Sequence, residues 1–513
     1  MVQLVESGPE IPAFYAGRTV FITGGSGFMG KVLVERLLTT CPDISRVYLL
    51  LREKRGLSPE KRLQQIKQCQ IFDVLRVKCP RQLDKVDVIG GDVTSPSLGI
   101  TPAARAKLRQ VSVVFHSAAT VKLQGELKQS VDQNLRSVMS LMDLCDTLPN
   151  LKVFMHISTA YCNAELPHIE EKVYPPPMDL DTLLRLVETQ DIGIEETRRL
   201  TASKPNTYTF TKAMAEHAVA RHGCARYAVA IFRPTIVICS LAHPFPGWIE
   251  NLNGPSGVIA AASSGLLRVV RSAAHAQADM LPVDIAIDTM LAAAWDTATN
   301  RSPEVRVYNC STSANPTRWG DFLSIINRCM PQYPASNAVL YPHLHIVENS
   351  FIYKSLETVL QTIPLHLTEY IMRILCINSR RNLIKANEKM IAMNVALEYF
   401  AVREWQFDTA NVTRLRQRLS EEDKRIINLD SHTINWEDLV LNFVKGTRKY
   451  VLQEPEMNIT RARERMRKLN MFITLAKILG ALFLLRMTTR FVSLPNLMYS
   501  AIMYMKGSSK MIL

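Results

Sequence analysis

Tyr208 and Lys212 stand four residues apart in Asn206-Thr-Tyr-Thr-Phe-Thr-Lys-Ala-Met-Ala-Glu216, a spacing that sets both side chains on one face of a helix. A free phenol titrates near pH 10, too high for acid–base work at neutral pH unless its anion is stabilised. An ammonium one turn away lowers that pKa and can also hold the ribose of a nicotinamide nucleotide. A second hydroxyl source is Thr159, with Ser158 beside it, at the end of the apolar run Val153-Phe-Met-His-Ile157. Placed there, Thr159 can donate to the same carbonyl oxygen as the tyrosine. Because Tyr-x-x-x-Lys recurs on helices by chance, its weight comes from the elements that must position it.

The first of these elements is Thr19-Val-Phe-Ile22, an uncharged, β-branched and aromatic run that reads as a buried parallel strand. It breaks at Thr23-Gly24-Gly-Ser26-Gly27-Phe28-Met29-Gly30, after which the pattern turns helical, with Val32, Leu33, Arg36 and Leu37 alternating between core and solvent. Gly24 permits the tight turn, Gly27 lets backbone approach a pyrophosphate, and Gly30 lets the helix lie close on the strand. The helix N-terminus then offers unpaired N–H groups and a positive dipole end to the phosphates. Thr23, Gly24, Ser26, Gly27, Phe28, Met29 and Gly30 are therefore the expected phosphate cradle.

The next strand, Arg46 to Leu51, ends in Arg52, with Lys54 and Arg55 close behind, where NAD-binding folds of this kind carry an acidic residue. A guanidinium binds a 2′-phosphate that a carboxylate would repel, so Arg52 and Arg55 point to NADPH over NADH. Strands at 86–89, 113–115, 153–157 and 227–232 follow. Their carboxyl ends supply Asp92 and Val93 at the adenine, Ser117, Ala118 and Ala119 at the ribose and pyrophosphate, and Pro234 and Thr235 after Arg233. Strand and helix alternate throughout, which is the α/β pattern of a Rossmann-type, doubly wound parallel sheet. The glycine turn, Ser-Thr, Tyr-x-x-x-Lys and Arg-Pro-Thr in this order read as hydride transfer between a nicotinamide nucleotide and a carbonyl compound. Which carbonyl, these residues leave open.

Composition narrows the class. A chain of 513 residues with 47% hydrophobic content can bury a core of two or three domains. The net charge of +14 comes without a basic block interleaved with aromatics in the first half. Nucleic acid is therefore not the expected partner, while an anionic cofactor, substrate or membrane surface is. Ten cysteines are scattered singly, with no metal-ligand spacing, so no metal is expected. Cys162 lies beside the site with no activating base near it in sequence. The first residues lack the basic and apolar regions of a secretory signal, which places the catalytic part on the cytosolic side.

The first 235 residues resemble an extended short-chain dehydrogenase/reductase, and within that superfamily the chain resembles the alcohol-forming fatty acyl-CoA reductases. The motifs that carry this are Phe14-Tyr-Ala-Gly-Arg18, Tyr48-Leu-Leu-Leu-Arg52, Val114-Phe-His-Ser-Ala-Ala-Thr120, His156-Ile-Ser-Thr-Ala-Tyr-Cys-Asn163 and Tyr208-Thr-Phe-Thr-Lys212. Further on come Trp248-Ile-Glu-Asn-Leu-Asn-Gly-Pro255, Ala278-Asp-Met-Leu-Pro-Val-Asp284, Glu404-Trp-Gln-Phe-Asp408, Ile434-Asn-Trp436 and Gly446-Thr-Arg-Lys-Tyr450. These late motifs separate the chain from sterol dehydrogenases and sugar epimerases, which share the early ones. A non-catalytic dinucleotide-binding scaffold would have no need of Tyr208. The resemblance implies that a long-chain fatty acyl-CoA and two NADPH give a primary fatty alcohol, two NADP and free CoA. It further implies that Thr159, Ser158, Tyr208 and Lys212 act at the carbonyl.

The last part of the chain changes character. Ser355 to Ile377 is apolar with a helical period but carries Glu357, Glu369 and Arg373, as in an amphipathic helix at a domain or membrane surface. Arg461, Arg463, Arg465, Arg467 and Lys468 form a basic run, followed by apolar stretches at 471–485 and 491–505. Each is shorter than the roughly 20 residues that span a bilayer, so a tilted span, a shallow hairpin and an in-plane helix all remain open. The chain thus divides into a polar segment (1–13), an NADPH-binding Rossmann and substrate-binding domain (14–345), a helical C-terminal domain (346–455) and a basic segment with a membrane-associating tail (456–513). The expected setting is the membrane of the endoplasmic reticulum or peroxisome, with membrane lipid as partner of the tail.

Overall fold

The apolar runs become a sheet of seven parallel strands. In chain order they are β1 (Thr19–Thr23), β2 (Arg46–Leu51), β3 (Val86–Gly90), β4 (Val111–His116), β5 (Val153–Ile157), β6 (Ala228–Pro234) and β7 (Arg306–Cys310). Their spatial order is β7-β6-β5-β4-β1-β2-β3. The continuous apolar runs are explained by burial on both faces, since β1, β4, β5 and β6 have no exposed residue. The chain moves outward from β1 through β2 and β3, then returns to β4 on the other side of β1. This leaves a crevice at the carboxyl ends of β1 and β4, where doubly wound sheets bind ligands. The computed structural model describes residues 8–223, 226–336, 338–376, 382–471, 473–475, 478–483 and 485–486.

The helices that matter for the site are α1 (Phe28–Thr40), α2 (Pro59–Lys67), α3 (Ser137–Asp146), α4 (Thr207–His222) and α5 (Val283–Thr299). Further along are α6 (Ser350–Glu357), α7 (Ile363–Ile374) and α8 (Leu383–Ala401). Ser58 caps α2 by accepting from Lys61 N at 3.4 Å, with Pro59 in the first turn. After α2 the chain continues through a 3₁₀ turn at Gln70–Phe72 into a short helix at Asp73–Lys78. Apolar residues from 415 to 444, Leu415, Leu439 and Phe443 among them, join the same core as Ile22 and Val113. Among the described residues no helix is long and apolar enough to cross a membrane. The described part of 459–486 is helical, and the run 491–505 lies outside the described residues.

Arg36 departs from the helical pattern that suggests solvent for it. Its side chain is 2% exposed and makes a two-pronged ion pair with Asp288 of α5, at 2.7 and 3.1 Å. It also donates to Ile426 O at 2.9 Å, while Asn428 N donates to Asp288. One buried pair thus joins α1, α5 and the segment after residue 420. Removing one partner of such a pair leaves a bare buried charge and costs about 3–5 kcal/mol, whereas replacing both with apolar residues is often neutral. Arg36→Leu should therefore lower stability by about that amount in denaturant titration, and Arg36→Leu/Asp288→Leu should recover most of it. Equal losses in the two variants would show that the pair does not hold this junction.

Candidate active site

The glycine turn is fixed by two contacts that leave no room for a side chain. Gly24 has φ +76°, and a Cβ there would sit 2.6 Å from Ala118 N and Ser117 C. A Cβ on Gly30 would meet Gly24 O at 2.3 Å. The first contact brings the turns after β1 and β4 together, and the second seats α1 on its strand. Between them opens a cleft of about 270 Å³ lined by Gly24, Ser26, Gly27, Arg52, Asp92, Val93 and Ser117–Ala119, with Arg62 and Lys54. Its shape and its free helix N-terminus fit a dinucleotide.

Other residues expected at the cofactor lie elsewhere. Thr23 Oγ1 is engaged behind the turn, 2.7 Å from His116 Nδ1 and accepting from Ala118 N at 3.3 Å. Phe28 and Met29 pack against the core below the cleft. Arg55 is exposed in a tight turn with φ 54°, closed by the bridge between Lys54 and Leu57, and stands outside the cleft. Arg62 of α2 takes its place, donating to Arg52 O at 2.7 Å and Ser26 Oγ at 3.4 Å. The inward face of α2, Leu63 and Ile66, was the sequence signal that could have found it. Arg52 itself donates to Asp92 at 2.9 Å. Burial pushes the Asp92 carboxyl up, but hydrogen bonds from Thr94 and Arg52 outweigh it and hold the group below the usual range. Thr235 is buried, donating to Asp279 at 2.9 Å, and Pro234 is the buried last residue of β6.

Thr159 and Tyr208 come together in a second, apolar cavity of about 390 Å³. It is walled by Val121 and Leu123 from the loop after β4, by Ile236 and Val258, and by Met393, Leu397 and Phe400 of α8. The loop from Ser117 to Leu123 lines both, the cleft with Ser117–Ala119 and this cavity with Val121 and Leu123. Ser158 is buried below the cavity, close to Glu216. Lys212 points inward from α4, and its Nζ donates to Ile157 O at 2.7 Å. Burial pulls the ammonium down to a pKa of about 8, opposed by Glu216 and Cys162.

Burial and the nearby Cys162 push the Tyr208 phenol above its usual 10, and a hydrogen bond with Thr159 opposes them. This corrects the expectation of a lowered phenol. In this protein the desolvation of Tyr208 exceeds any help from the lysine one turn away. Cys162 is itself pushed up to about 12, by burial and by Glu216, so it is a packed thiol and not a nucleophile.

The site rests on a buried polar layer. Glu216, one turn beyond Lys212 on α4, receives Arg233 of β6 at 2.6 and 2.9 Å and Cys162 Sγ at 3.2 Å. Burial pushes the Glu216 carboxyl up and Arg233 overrides it, so it stays ionised. Asn134, in a π turn (Asp132–Arg136) ahead of α3, accepts from Thr120 N at 2.8 Å and donates to Thr211 at 3.0 Å, which ties the loop after β4 to α4. His116 and His156 lie side by side under the site, ring centroids 5.5 Å apart. Burial, then Lys212, pulls His116 down to about 3, so it is neutral. Tyr161 is boxed edge-on by Phe400, Trp405 and Phe407 at 5.3–5.5 Å, and Trp405 Nε1 donates to Ala164 O at 2.9 Å. Among the described residues no group of His, Cys, Asp or Glu is arranged to hold a metal ion.

Comparisons with known proteins agree with this architecture. Two family profiles, both described as male sterility protein, match residues 22–290, as a NAD-binding domain, and residues 360–454. Fatty acyl-CoA reductase 1 of Gallus gallus is 39% identical over 90% of this chain and 90% of its own. The human enzyme of that name is 37% identical over the same shares, and human fatty acyl-CoA reductase 2 is 33% identical over 90% and 89%. Among solved structures, the terminal R domain of the myxalamid pathway aligns with a TM-score of 0.56 at 14% identity, covering 84% of this chain and 90% of that one. The reductase domain of a Mycobacterium tuberculosis nonribosomal peptide synthetase gives 0.54 at 17%, covering 86% and 95%, and these two likenesses show the fold. With a nicotinamide-dinucleotide fold at one end, the matching helical segment at the other and relatives this similar along nine-tenths of its length, the chain belongs to the fatty acyl-CoA reductase family.

Proposed function

We propose that this protein reduces long-chain fatty acyl-CoA to the primary alcohol with NADPH, releasing CoA. The observation that carries the reading is that Thr159 and Tyr208 open into an apolar cavity walled by the same loop, 117–123, that lines the dinucleotide cleft. An alkyl chain is stabilised there by removal from water, which leaves its carbonyl end for the two hydroxyls. Two nicotinamide dinucleotides, bound in turn, would each supply one hydride per turnover. Thr159 and Tyr208 hold the thioester oxygen as negative charge develops on it. Tyr208 is protonated at neutral pH because burial holds its phenol high, so it can protonate that oxygen to give a thiohemiacetal. As the C–S bond breaks, the thiohemiacetal hydroxyl returns its proton to Tyr208, CoA leaves as the thiolate and an aldehyde stays in the same apolar space. Tyr208 protonates the oxygen again at the second reduction, and Lys212 orients the nucleotide's ribose. Ser158 supports this set from below, beside Glu216.

Three cations (Arg52, Lys54 and Arg62) against one carboxylate (Asp92) line the cleft, and this surplus supports NADPH, whose 2′-phosphate suits a guanidinium. We further infer attachment to the membrane of the endoplasmic reticulum or peroxisome with the active site toward the cytosol, and the basic run 461–468 supports contact with a membrane surface. The exposed apolar residues from Met471 to Leu485 that follow it point the same way.

Palmitoyl-CoA with excess NADPH should give alcohol and free thiol at about two NADPH per acyl group, and Tyr208→Phe should lower turnover by about 10²–10⁴-fold while NADPH still binds. One NADPH per acyl group with aldehyde accumulating, or full activity of the phenylalanine variant, would overturn the scheme. Lys212 is cationic below about pH 8 and neutral above. The rate should therefore fall as pH rises through about 8, and Lys212→Arg, which keeps its charge, should move that limb to higher pH. A limb that stays in place would remove Lys212 from the chemistry. For the cofactor, Arg62→Gln should raise KM for NADPH about ten- to a hundredfold and leave KM for NADH nearly unchanged. An equal effect on both would count against a 2′-phosphate contact.

A further inference from the structure

The segment from Ser350 to Cys376 is folded with its polar side in and its apolar side out. Tyr353, Glu357, Gln361 and Glu369 are on the buried side. Hydrogen bonds hold them there. Gln361 accepts from Arg268 N and donates to Asn387, both at 2.9 Å. Glu369 accepts from Leu383 N and Arg373 Nε, both at 3.0 Å. Asn394 donates to the Tyr353 hydroxyl at 3.2 Å. The helices cannot turn over without stranding these groups. The opposite side presents Phe351, Val359, Ile363, Leu367, Ile371 and Ile374, between 46% and 79% exposed. In α7 the spacing of 363, 367, 371 and 374 is a single stripe. Scattered apolar residues at a surface need no explanation, but a contiguous stripe on two successive helices marks an interaction face.

Charge identifies the occupant. The two carboxylates of this segment, Glu357 and Glu369, are buried inward, Glu369 in an ion pair with Arg373, while the segment's two cations, Lys354 and Arg373, keep their side chains exposed. A two-fold dimer uses the same patch on both copies, and it would set these cations against a face with no exposed carboxylate. Phospholipid phosphates answer them directly. Behind the stripe, α7 packs on α8, and α8 contributes Met393, Leu397 and Phe400 to the apolar cavity that holds Thr159 and Tyr208. We infer that α6 and α7 lie in the plane of a phospholipid bilayer with this stripe in one leaflet, an attachment separate from the C-terminal tail. The leaflet is then also the pool from which a long acyl chain reaches the cavity, a consequence that rests on the function proposed above.

The test uses the full chain with Leu367→Trp, mixed with phosphatidylcholine–phosphatidylglycerol vesicles whose acyl chains are brominated. Emission from the new tryptophan should shift to the blue and be quenched, while a tryptophan introduced at exposed Ile194 should show neither change. No quenching at 367, quenching equal at both positions, or a blue shift without quenching (a second copy covering the face) would overturn the inference. With Ile371→Glu/Ile374→Glu, KM for palmitoyl-CoA presented in vesicles should rise about tenfold or more, with kcat and the kinetics on water-soluble octanoyl-CoA unchanged. Unchanged KM in vesicles would also overturn it. If the wild type turns over neither thioester the functional reading fails, and the quenching still decides the docking.

Discussion

The pair between Glu216 and Arg233 is the contact on which the site depends. Both side chains are almost fully buried, Glu216 2% and Arg233 0% exposed, and such a pair is tolerable only if each charge is fully answered. Arg233 meets this condition by also donating to Glu170 O at 3.1 Å and Lys172 O at 2.8 Å. Glu216 meets it by taking Arg233 on both carboxylate oxygens and Cys162 Sγ at 3.2 Å. The result is a clamp between α4, which carries Tyr208 and Lys212, and the sheet edge that carries Thr159. Rotation or sliding of α4 would strip partners from two ions at once, so the distance from tyrosine to threonine is set by electrostatics as much as by apolar packing. The same guanidinium anchors the strand and turn at 168–174, so the excursion after β5 is fixed to the clamp.

Among the motifs beyond residue 235, Leu252, Asn253, Gly254 and Pro255 line the cavity itself, and the others act at one remove from the chemistry. Asp284 accepts from Leu241, Ala242 and His243 N at 2.7–2.9 Å and shapes the loop after β6. Asp279 gathers Thr235, Thr312 and Ser311 between β6 and β7. Trp405 and Phe407 box Tyr161 two residues beyond Thr159. These residues hold loops and aromatic packing in register around a mainly apolar cavity that Asn253, Arg271, Ser272 and Asn394 also line.

Much of this was legible in the sequence. Apolar runs located the strands because both faces of a parallel sheet are buried, and the glycines could be assigned because backbone contact at 24 and 30 forbids anything larger. Tyr208 and Lys212 followed from helical spacing. What was not legible arises from long-range contacts. Arg36 reads as a surface residue until Asp288 is brought beside it. Arg55 and Arg62 are equally basic, and only the turn at 54–57 and the packing of α2 decide which of them reaches the cleft. The direction of the Tyr208 shift depends on how thoroughly α4 is buried, which no local pattern reports. The alternation from Ser355 to Ile377 showed an amphipathic helix but not which side would face inward, because buried glutamine and glutamate are paid for by partners such as Arg268 N and Leu383 N.

The wall that α8 gives to the cavity has a consequence for how the protein is made. Tyr208 leaves the ribosome almost two hundred residues before Phe400, a lag of roughly 10–40 s at about 5–20 residues per second. In that interval the sheet and its tyrosine–lysine pair can form while the apolar side of the cavity stands open to water. The nascent chain thus passes through a stage with its reactive groups in place and its oiliest surface uncovered. Timely capture of that surface by α8 is then a matter of translation speed and chaperone cover as much as of final stability.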